Sequence, residues 1–352
     1  MKIAIIGAGA MGSIYASFLA QNNNDVLAID LWEDHLEAIK NDGLRVSGFS
    51  GDKVVNNINV SNNIEDAKGY ELFVIATKAS GVGSAASNLS KIISKDSLIL
   101  TIQNGLGAGE RIATFMPTDN ILLGVAQGFG AAMVGPGHAH HNNMSMIRIG
   151  EMNGGITPRL EKLVKVWSDA GFNAKAFEDI EQLIWEKFIC NVAYSGPCSI
   201  FKKTLGEIMS NKHMFHMAKE CALEARKMGD IKNVNVTFDD TVDYITEFGK
   251  KLLNSKPSML QDVEAKRLSE TNDPKNMALF LKALFTNKEL KELENRLKIF
   301  QMLLQGKKQR EISEDLNVGI ATVTRGSYAY ENEEFFKIKS NIINILRSNH
   351  IK

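Results

Sequence analysis

No stretch of this sequence stays apolar for the ~18–20 residues that a helix needs to cross a bilayer. No signal peptide opens it, because Met1-Lys2-Ile3-Ala4-Ile5-Ile6-Gly7 runs directly into a strand and a glycine turn. Cysteine is scarce: Cys190, Cys198 and Cys221 are odd in number and lack metal spacing, which argues against a disulfide framework and for a reduced, cytoplasmic chain. Internal repeats and low-complexity segments are missing. So is a net charge, since 41 Lys and Arg balance 41 Asp and Glu. The balance is uneven along the chain. From Lys275 to Lys352 there are 14 Lys or Arg against 9 Asp or Glu, a surplus of +5 that leaves −5 on residues 1–274. A basic tail on an acidic body points to two partners of different kinds.

What is present is an ordinary globular composition, 44% hydrophobic and 23% charged, which excludes wholesale disorder. At roughly 150 residues per domain, 352 residues suggest two or three domains. The first 150 alternate short β-branched runs with helical patterns, the signature of a parallel sheet covered by helices. Lys2–Ile6, Asp25–Ile29, Glu71–Ala76 and Ser97–Thr101 read as strands, and Met11–Ala20, Asp34–Lys40 and Gly81–Ile93 as the helices between them. Ile121–Met133 and Gly137–Gly150 read as one antiparallel pair turning at Val134-Gly135-Pro136-Gly137. Beyond Pro158 the pattern turns helical, over Arg159–Ala170, Glu178–Ser195, Leu205–Gly229 and Phe238–Leu253. It breaks at Thr271-Asn272-Asp273-Pro274, and amphipathic helices resume near Asn276.

Gly7-Ala8-Gly9-Ala10-Met11-Gly12 follows an apolar strand and opens a helix, the context in which a GxGxxG turn cradles a dinucleotide. Gly7 permits the tight turn, Gly9 lets backbone approach a pyrophosphate, Gly12 allows close helix–strand packing, and the helix N-terminus supplies N–H donors. Asp30 ends the second strand, where a carboxylate accepts from the adenosine ribose and repels a 2′-phosphate, favouring NADH over NADPH. Alternatively, Asp30 caps the helix that begins near Glu33. His138, His140 and His141 read as polar strand positions, and no metal site is expected.

Five ordered motifs then become recognisable: Gly7–Gly12, Thr77-Lys78-Ala79, Thr101-Ile102-Gln103-Asn104-Gly105-Leu106-Gly107, Trp185-Glu186-Lys187 with Asn191, and Pro257-Ser258-Met259-Leu260-Gln261-Asp262. Together they resemble the ketopantoate (2-dehydropantoate) 2-reductases over about residues 1–272. The resemblance implies a Rossmann domain and an all-α domain, with an NAD(P)H hydride passing to the ketone of a branched 2-oxo acid. It makes Lys187 the proton donor and Glu270 the acidic active-site residue. Asn104 would contact cofactor and substrate, and Asn191, Ser195 and Ser258 would hold the substrate. The cofactor would meet Gly7, Ala8, Gly9, Ala10, Met11, Gly12, Asp30, Lys78 and Asn104. The apolar neighbours of Lys187 should lower its pKa by desolvation. Two features depart from the family. Ser195-Gly196-Pro197-Cys198 stands where it usually has an asparagine followed by Pro-Leu-Thr, and the closing helices that should follow Glu270 are replaced.

From Asn276 the chain resembles the tryptophan repressors, most strongly over Gln309–Ser327. Ile312 and Leu316 line a first helix, Asn317-Val318-Gly319 makes a turn, and a second helix starts at Ile320, which is a helix-turn-helix pattern. Gly319, Ile320, Ala321, Thr322 and Thr324 would enter a major groove of duplex DNA while Lys307, Lys308 and Arg310 meet phosphates. The resemblance makes Thr286, Arg296, Thr322 and Arg325 the ligand-side residues for tryptophan, with Ala329 in place of a serine, and implies a homodimer. The expected domains are therefore a Rossmann domain over 1–158, a truncated helical reductase domain over 159–273 and a helix-turn-helix domain over 275–352. The leading reading is an oxo-acid reductase carrying a DNA-binding domain. The alternative is a tryptophan-responsive repressor whose reductase body is a nucleotide sensor or a relic.

Overall fold

The structure is a computed structural model; it describes residues 1–265, and in the tail residues 291, 294–295, 298–299, 302–303, 306–316 and 318–330. The chain divides into two compact units, Met1–Lys266 and Arg267–Lys352.

The first unit begins with β1 (Lys2–Ile6), α1 (Ala10–Gln21), β2 (Asp25–Ile29) and α2 (Glu33–Asp42). Three short strands follow, β3 (Leu44–Gly48), β4 (Lys53–Val55) and β5 (Ile58–Ser61), then β6 (Leu72–Ile75), α3 (Val82–Leu89), β7 (Leu98–Thr101) and α4 (Ala108–Ala113). Next come β8 (Ile121–Gln127), β9 (Gly130–Gly135), β10 (His138–Asn143), β11 (Met146–Glu151), α5 (Pro158–Asp169) and β12 (Ala174–Ala176). The main sheet has the order β12-β11-β8-β7-β6-β1-β2-β5 and is parallel except where β8 meets β11. Its central strands are buried on both faces, as in β6 where all four residues are inaccessible; continuous β-branched and leucine runs are what such strands require. Ile3 and Ile5 pack with α1 and α5 on one face, and Ala4 and Ile6 with α3 and α4 on the other.

The expected single antiparallel pair after residue 121 is two pairs. β8 pairs with β11 in the main sheet, while β9 and β10 leave it and join β3 and β4 in a second sheet of order β4-β3-β10-β9. Gly128 at φ +53° makes the departure. This second sheet explains α1, which is buried at every position from Gly12 to Ala20 because it contacts strands of both sheets. A helix enclosed on both sides loses its polar stripe. His141 is also buried, among the rings of Phe18, Phe49 and Phe129, while Ser47 Oγ lies within hydrogen-bond distance of His138 Nε2 and His140 Nδ1. His141 is thus a strand residue, as expected, with its ring in the core.

The helical part contains α6 (Ile180–Phe201), α7 (Leu205–Ser210), α8 (Lys212–Ile231), α9 (Thr241–Lys250) and α10 (Ser258–Glu264). The expected helix 205–229 is broken at Asn211, whose side chain accepts from His213 N and Met214 N and so restarts the helix. The expected end of α6 at Ser195 is passed, because Ala193, Tyr194 and Cys198 are buried against neighbouring helices and hold the turn through Pro197. Ser199 Oγ donates to Ser195 O at 2.7 Å within that turn. Among the described residues, no helix is long and apolar enough to cross a membrane.

In the second unit, α11 (Gln309–Leu316) and α12 (Ile320–Tyr330) pack around Ile299, Ile312 and Val323. Ser313 Oγ donates to Val318 O at 2.7 Å across the connection.

Candidate active site

The carboxyl ends of β1, β2, β6 and β7 carry the glycine turn, Asp30, Thr77-Lys78 and Asn104 to one edge of the sheet, where ligands of open α/β sheets bind. The glycines divide by what surrounds them. A Cβ on Gly7 (φ +97°) would stand 2.7 Å from Thr77 N, and one on Gly12 would stand 1.9 Å from Gly7 O. A Cβ on Gly9 would meet nothing within 4 Å. Two of the three glycines are therefore required by the fold itself, whereas Gly9 keeps open space beside a helix N-terminus. Ala8 is buried and Ala10 and Met11 are half-buried around that space. Thr77 Oγ1, nearby, is buried without a hydrogen-bond partner. An open glycine face, a helix N-terminus and an orphan hydroxyl fit a dinucleotide.

Asp30 Oδ1 accepts from Leu31 N at 2.7 Å and Trp32 N at 3.0 Å. It shapes the turn before α2 and is not its cap, since the cap residue is Trp32 and makes no side-chain bond. Leu31 is 87% exposed. Lys78 is exposed and begins the turn after β6.

Lys187 is the centre of the site. It lies half-buried in α6 between the buried Trp185 and Ile189. Its Nζ donates to Asn104 Oδ1 at 2.8 Å and to Ala126 O at 2.6 Å. Enclosure by this wall lowers its pKa to about 8. An ammonium has three N–H donors, so two are held by protein and the third is available. Asn191 and Ser195 follow at four-residue steps on α6 and are half-buried, so all three share one helix face. Ser258, exposed, begins α10, which packs on α6. Glu270 lies outside the described residues.

Gln103, between Ile102 and Asn104, had no role in the sequence reading and has one in the structure. Its Nε2 donates to Thr77 O at 2.8 Å, tying the loop that carries Asn104 to the loop that carries Lys78. The Ala126 carbonyl had no sequence signal, because any residue supplies one. Glu186, beside Lys187, is buried and accepts from Thr237 N at 2.8 Å, Thr237 Oγ1 at 2.7 Å and Gln182 Nε2 at 3.1 Å, which anchors α6. A cavity of about 280 Å³ adjoins the site, with Thr101, Gln103, Gly105, Ile184 and Trp185 on its walls. A larger cavity, about 490 Å³, opens at the amino ends of β1, β6 and β7, against Met1, Glu71 and Ser97. Neither Lys187 nor the glycine turn lines either cavity, so the candidate site is defined by its side chains at the carboxyl edge of the sheet.

In the tail, Lys307, Lys308, Arg310, Gly319, Ile320 and Ala321 are exposed, and Thr322 and Thr324 are half-buried at the start of α12. Lys307 Nζ is paired with Asp315 at 2.6 Å. Thr324 Oγ1 donates to Ile320 O at 3.0 Å. Thr286 and Arg296 lie outside the described residues, as does the side chain of Arg325. Among the described residues, no group of three His, Cys, Asp or Glu could hold a metal.

The sequence matches the family model "Ketopantoate reductase PanE/ApbA" over residues 3–154 and its companion "Ketopantoate reductase PanE/ApbA C terminal" over 179–273. A third model, "Trp repressor protein", matches residues 262–336. A 2-dehydropantoate 2-reductase of Streptococcus pyogenes serotype M3 is 30% identical over 271 residues, covering 77% of this chain and 87% of that protein. One from Archaeoglobus fulgidus is 28% identical over 269 residues, covering 76% and 86%. The crystal structure of 2-dehydropantoate 2-reductase from Geobacter metallireducens GS-15 is similar with a TM-score of 0.70 at 27% identity, covering 79% of this chain and 92% of that one.

Proposed function

The chain belongs to the ketopantoate reductase family, NAD(P)-dependent oxidoreductases, and from that premise we propose that it reduces a branched 2-oxo acid with Lys187 as proton donor. The observation that carries the reading is the Lys187 ammonium, held by Asn104 and the Ala126 carbonyl with one N–H unspent. The dinucleotide supplies the hydride. Lys187 hydrogen-bonds the ketone oxygen, stabilises the alkoxide charge as it grows, and yields its proton to that oxygen. Asn104 fixes the direction of the ammonium. Asn191 and Ser195 present amide and hydroxyl groups to the substrate from the same helix face, and Ser258 the hydroxyl for its carboxylate. Ser195, shorter than an asparagine, suits an oxo acid with fewer polar groups on its branch. The test is steady-state oxidation of NADPH and NADH with ketopantoate beside 3-methyl-2-oxobutanoate. Turnover with neither acid rejects the reading; a better kcat/KM for the unhydroxylated acid supports the role given to Ser195.

Gly7–Gly12, Lys78 and Asn104 hold the dinucleotide in this reading, and Asp30 sets the preference. With Oδ1 engaged by Leu31 N and Trp32 N, Oδ2 remains for the ribose, and a 2′-phosphate would meet a carboxylate. NADH is expected to bind more tightly than NADPH, and Asp30→Ala to narrow the gap. Fluorescence titration of both cofactors checks this, and a clear NADPH preference in the unmutated protein contradicts it.

For the tail, the Trp repressor match and the packed pair α11–α12 favour a second function: DNA binding as a homodimer, responsive to tryptophan through Thr286, Arg296, Thr322 and Arg325. The domains in this reading are 1–158, 159–273 and 275–352, with the border of the compact units at Lys266–Arg267 falling inside the second. Phosphate contacts by Lys308 and Arg310 release counterions, so binding should weaken steeply with salt. Lys307 contributes less than either, because Asp315 already neutralises it. Gel shifts on the full chain at low and high salt, with and without tryptophan, check this. Binding indifferent to tryptophan rejects the corepressor, and no binding at low salt rejects the DNA site.

A further inference from the structure

One buried ionisable group beside the glycine turn has no part in the chemistry above. His35, in α2, is fully buried. Its Nδ1 accepts from Gly137 N at 2.9 Å, so the neutral ring carries its proton on Nε2. Nε2 lies 3.3 Å from Ser13 Oγ, and Ser13 Oγ donates to Ala8 O at 2.7 Å. The direction of the chain is therefore settled: His35 Nε2–H to the Ser13 hydroxyl, and that hydroxyl to the carbonyl of Ala8 inside the glycine turn. On its outer side the imidazole stacks on the Trp32 indole, with ring centres 5.0 Å apart and planes at 17°. Trp32 and Asp30 follow β2 directly, on the ribose side of the proposed site.

We propose that His35 is a positioning residue for the dinucleotide, holding the glycine turn and the Trp32 platform in register only while its ring is neutral. This rests on the dinucleotide reading above. A second proton on Nδ1 would point at the Gly137 N–H, so the ring must break that bond and rotate, and the Ser13–Ala8 link goes with it. The groups facing the ring are few. From the end of β2 comes Asp30, whose charge favours the protonated ring; from α1, the Ser13 hydroxyl; from the glycine turn, the Ala8 carbonyl; from the β9–β10 turn, Gly137, with His138 directed instead to Ser47. On α2 itself Glu33, Asp34 and Glu37 are exposed. Burial prevails and moves the His35 pKa below its ordinary value.

The experiment is a titration of the full-length protein with NADH, which has no monoester phosphate ionising in this range, followed from neutral to mildly acid pH. The Kd is expected to rise roughly tenfold as His35 protonates. In His35→Gln, which can keep a donor toward Ser13 but takes up no proton, the Kd should be flat over the same range. In parallel, Trp32 emission in the unliganded protein should fall with the same midpoint, through contact with an imidazolium, and Trp32→Phe should remove that fall. The emission arm stands even where His35→Gln fails to fold. An NADH Kd independent of pH, or an equal slope in His35→Gln, overturns the proposal alone. No NADH binding at any pH overturns the dinucleotide reading and this proposal with it.

Discussion

Replacing Lys187 by alanine is expected to lower turnover by ~10²–10⁴-fold, the contribution of a positioned general acid, or about 3–5 kcal/mol of transition-state stabilisation. Dinucleotide affinity should change far less than turnover, since of the residues assigned to the dinucleotide the ammonium touches Asn104 and not the glycine turn. Stability should not fall either. A desolvated ammonium is an unfavourable group to bury, as its lowered pKa of about 8 records. The same value sets the pH profile. The donor must arrive protonated, so turnover should fall as pH rises through about 8, and this limb should vanish in Lys187→Ala. Single-turnover rates across pH, with unfolding curves as control, check both statements. An alanine variant that keeps near-native turnover removes Lys187 from the mechanism.

The glycine turn gives the second large effect, and it separates binding from folding. Gly9 adopts φ −60°, open to any residue, and a Cβ there meets nothing within 4 Å. Gly9→Ala should therefore fold with unchanged thermal stability, yet lose dinucleotide affinity by roughly 10²-fold, because the methyl stands where the backbone must approach the pyrophosphate. Gly12→Ala should lose affinity and stability together, because its Cβ would stand 1.9 Å from Gly7 O and push α1 away from the turn after β1. Parallel binding and melting curves decide. A Gly9→Ala protein that binds both nicotinamide cofactors normally contradicts placing the pyrophosphate at this turn.

The parts of the fold legible in the sequence were those with a strong period or a rigid punctuation. β1 and β2 fall where the apolar runs place them, and the glycine turn opens α1. The second sheet was not legible as a sheet, since its β3–β4 and β9–β10 pairs are local and short and are joined only by β3 pairing with β10, far apart in sequence. The burial of His141 was not legible either: the polar run marks a strand position, and only the packing of Phe18 and Phe129 around the ring shows that it is enclosed. At the site, the four-residue spacing of Lys187, Asn191 and Ser195 was enough to put them on one helix face. The partners of Lys187 were less visible. Asn104 stands 83 residues away, and the Ala126 carbonyl is a backbone atom with no signature in a sequence.

The central claim is that this chain passes a nicotinamide hydride to the ketone carbon of a branched 2-oxo acid while Lys187 protonates the oxygen. The most direct measurement follows deuterium from the hydride position of a labelled dinucleotide into the hydroxy-acid product by mass spectrometry, for the unmutated protein and for Lys187→Ala. The account predicts that the label appears on the former ketone carbon, and that its rate of appearance falls by ~10²–10⁴-fold without Lys187. Unlabelled hydroxy acid, no hydroxy acid at all, or label arriving equally fast in the alanine variant would contradict it.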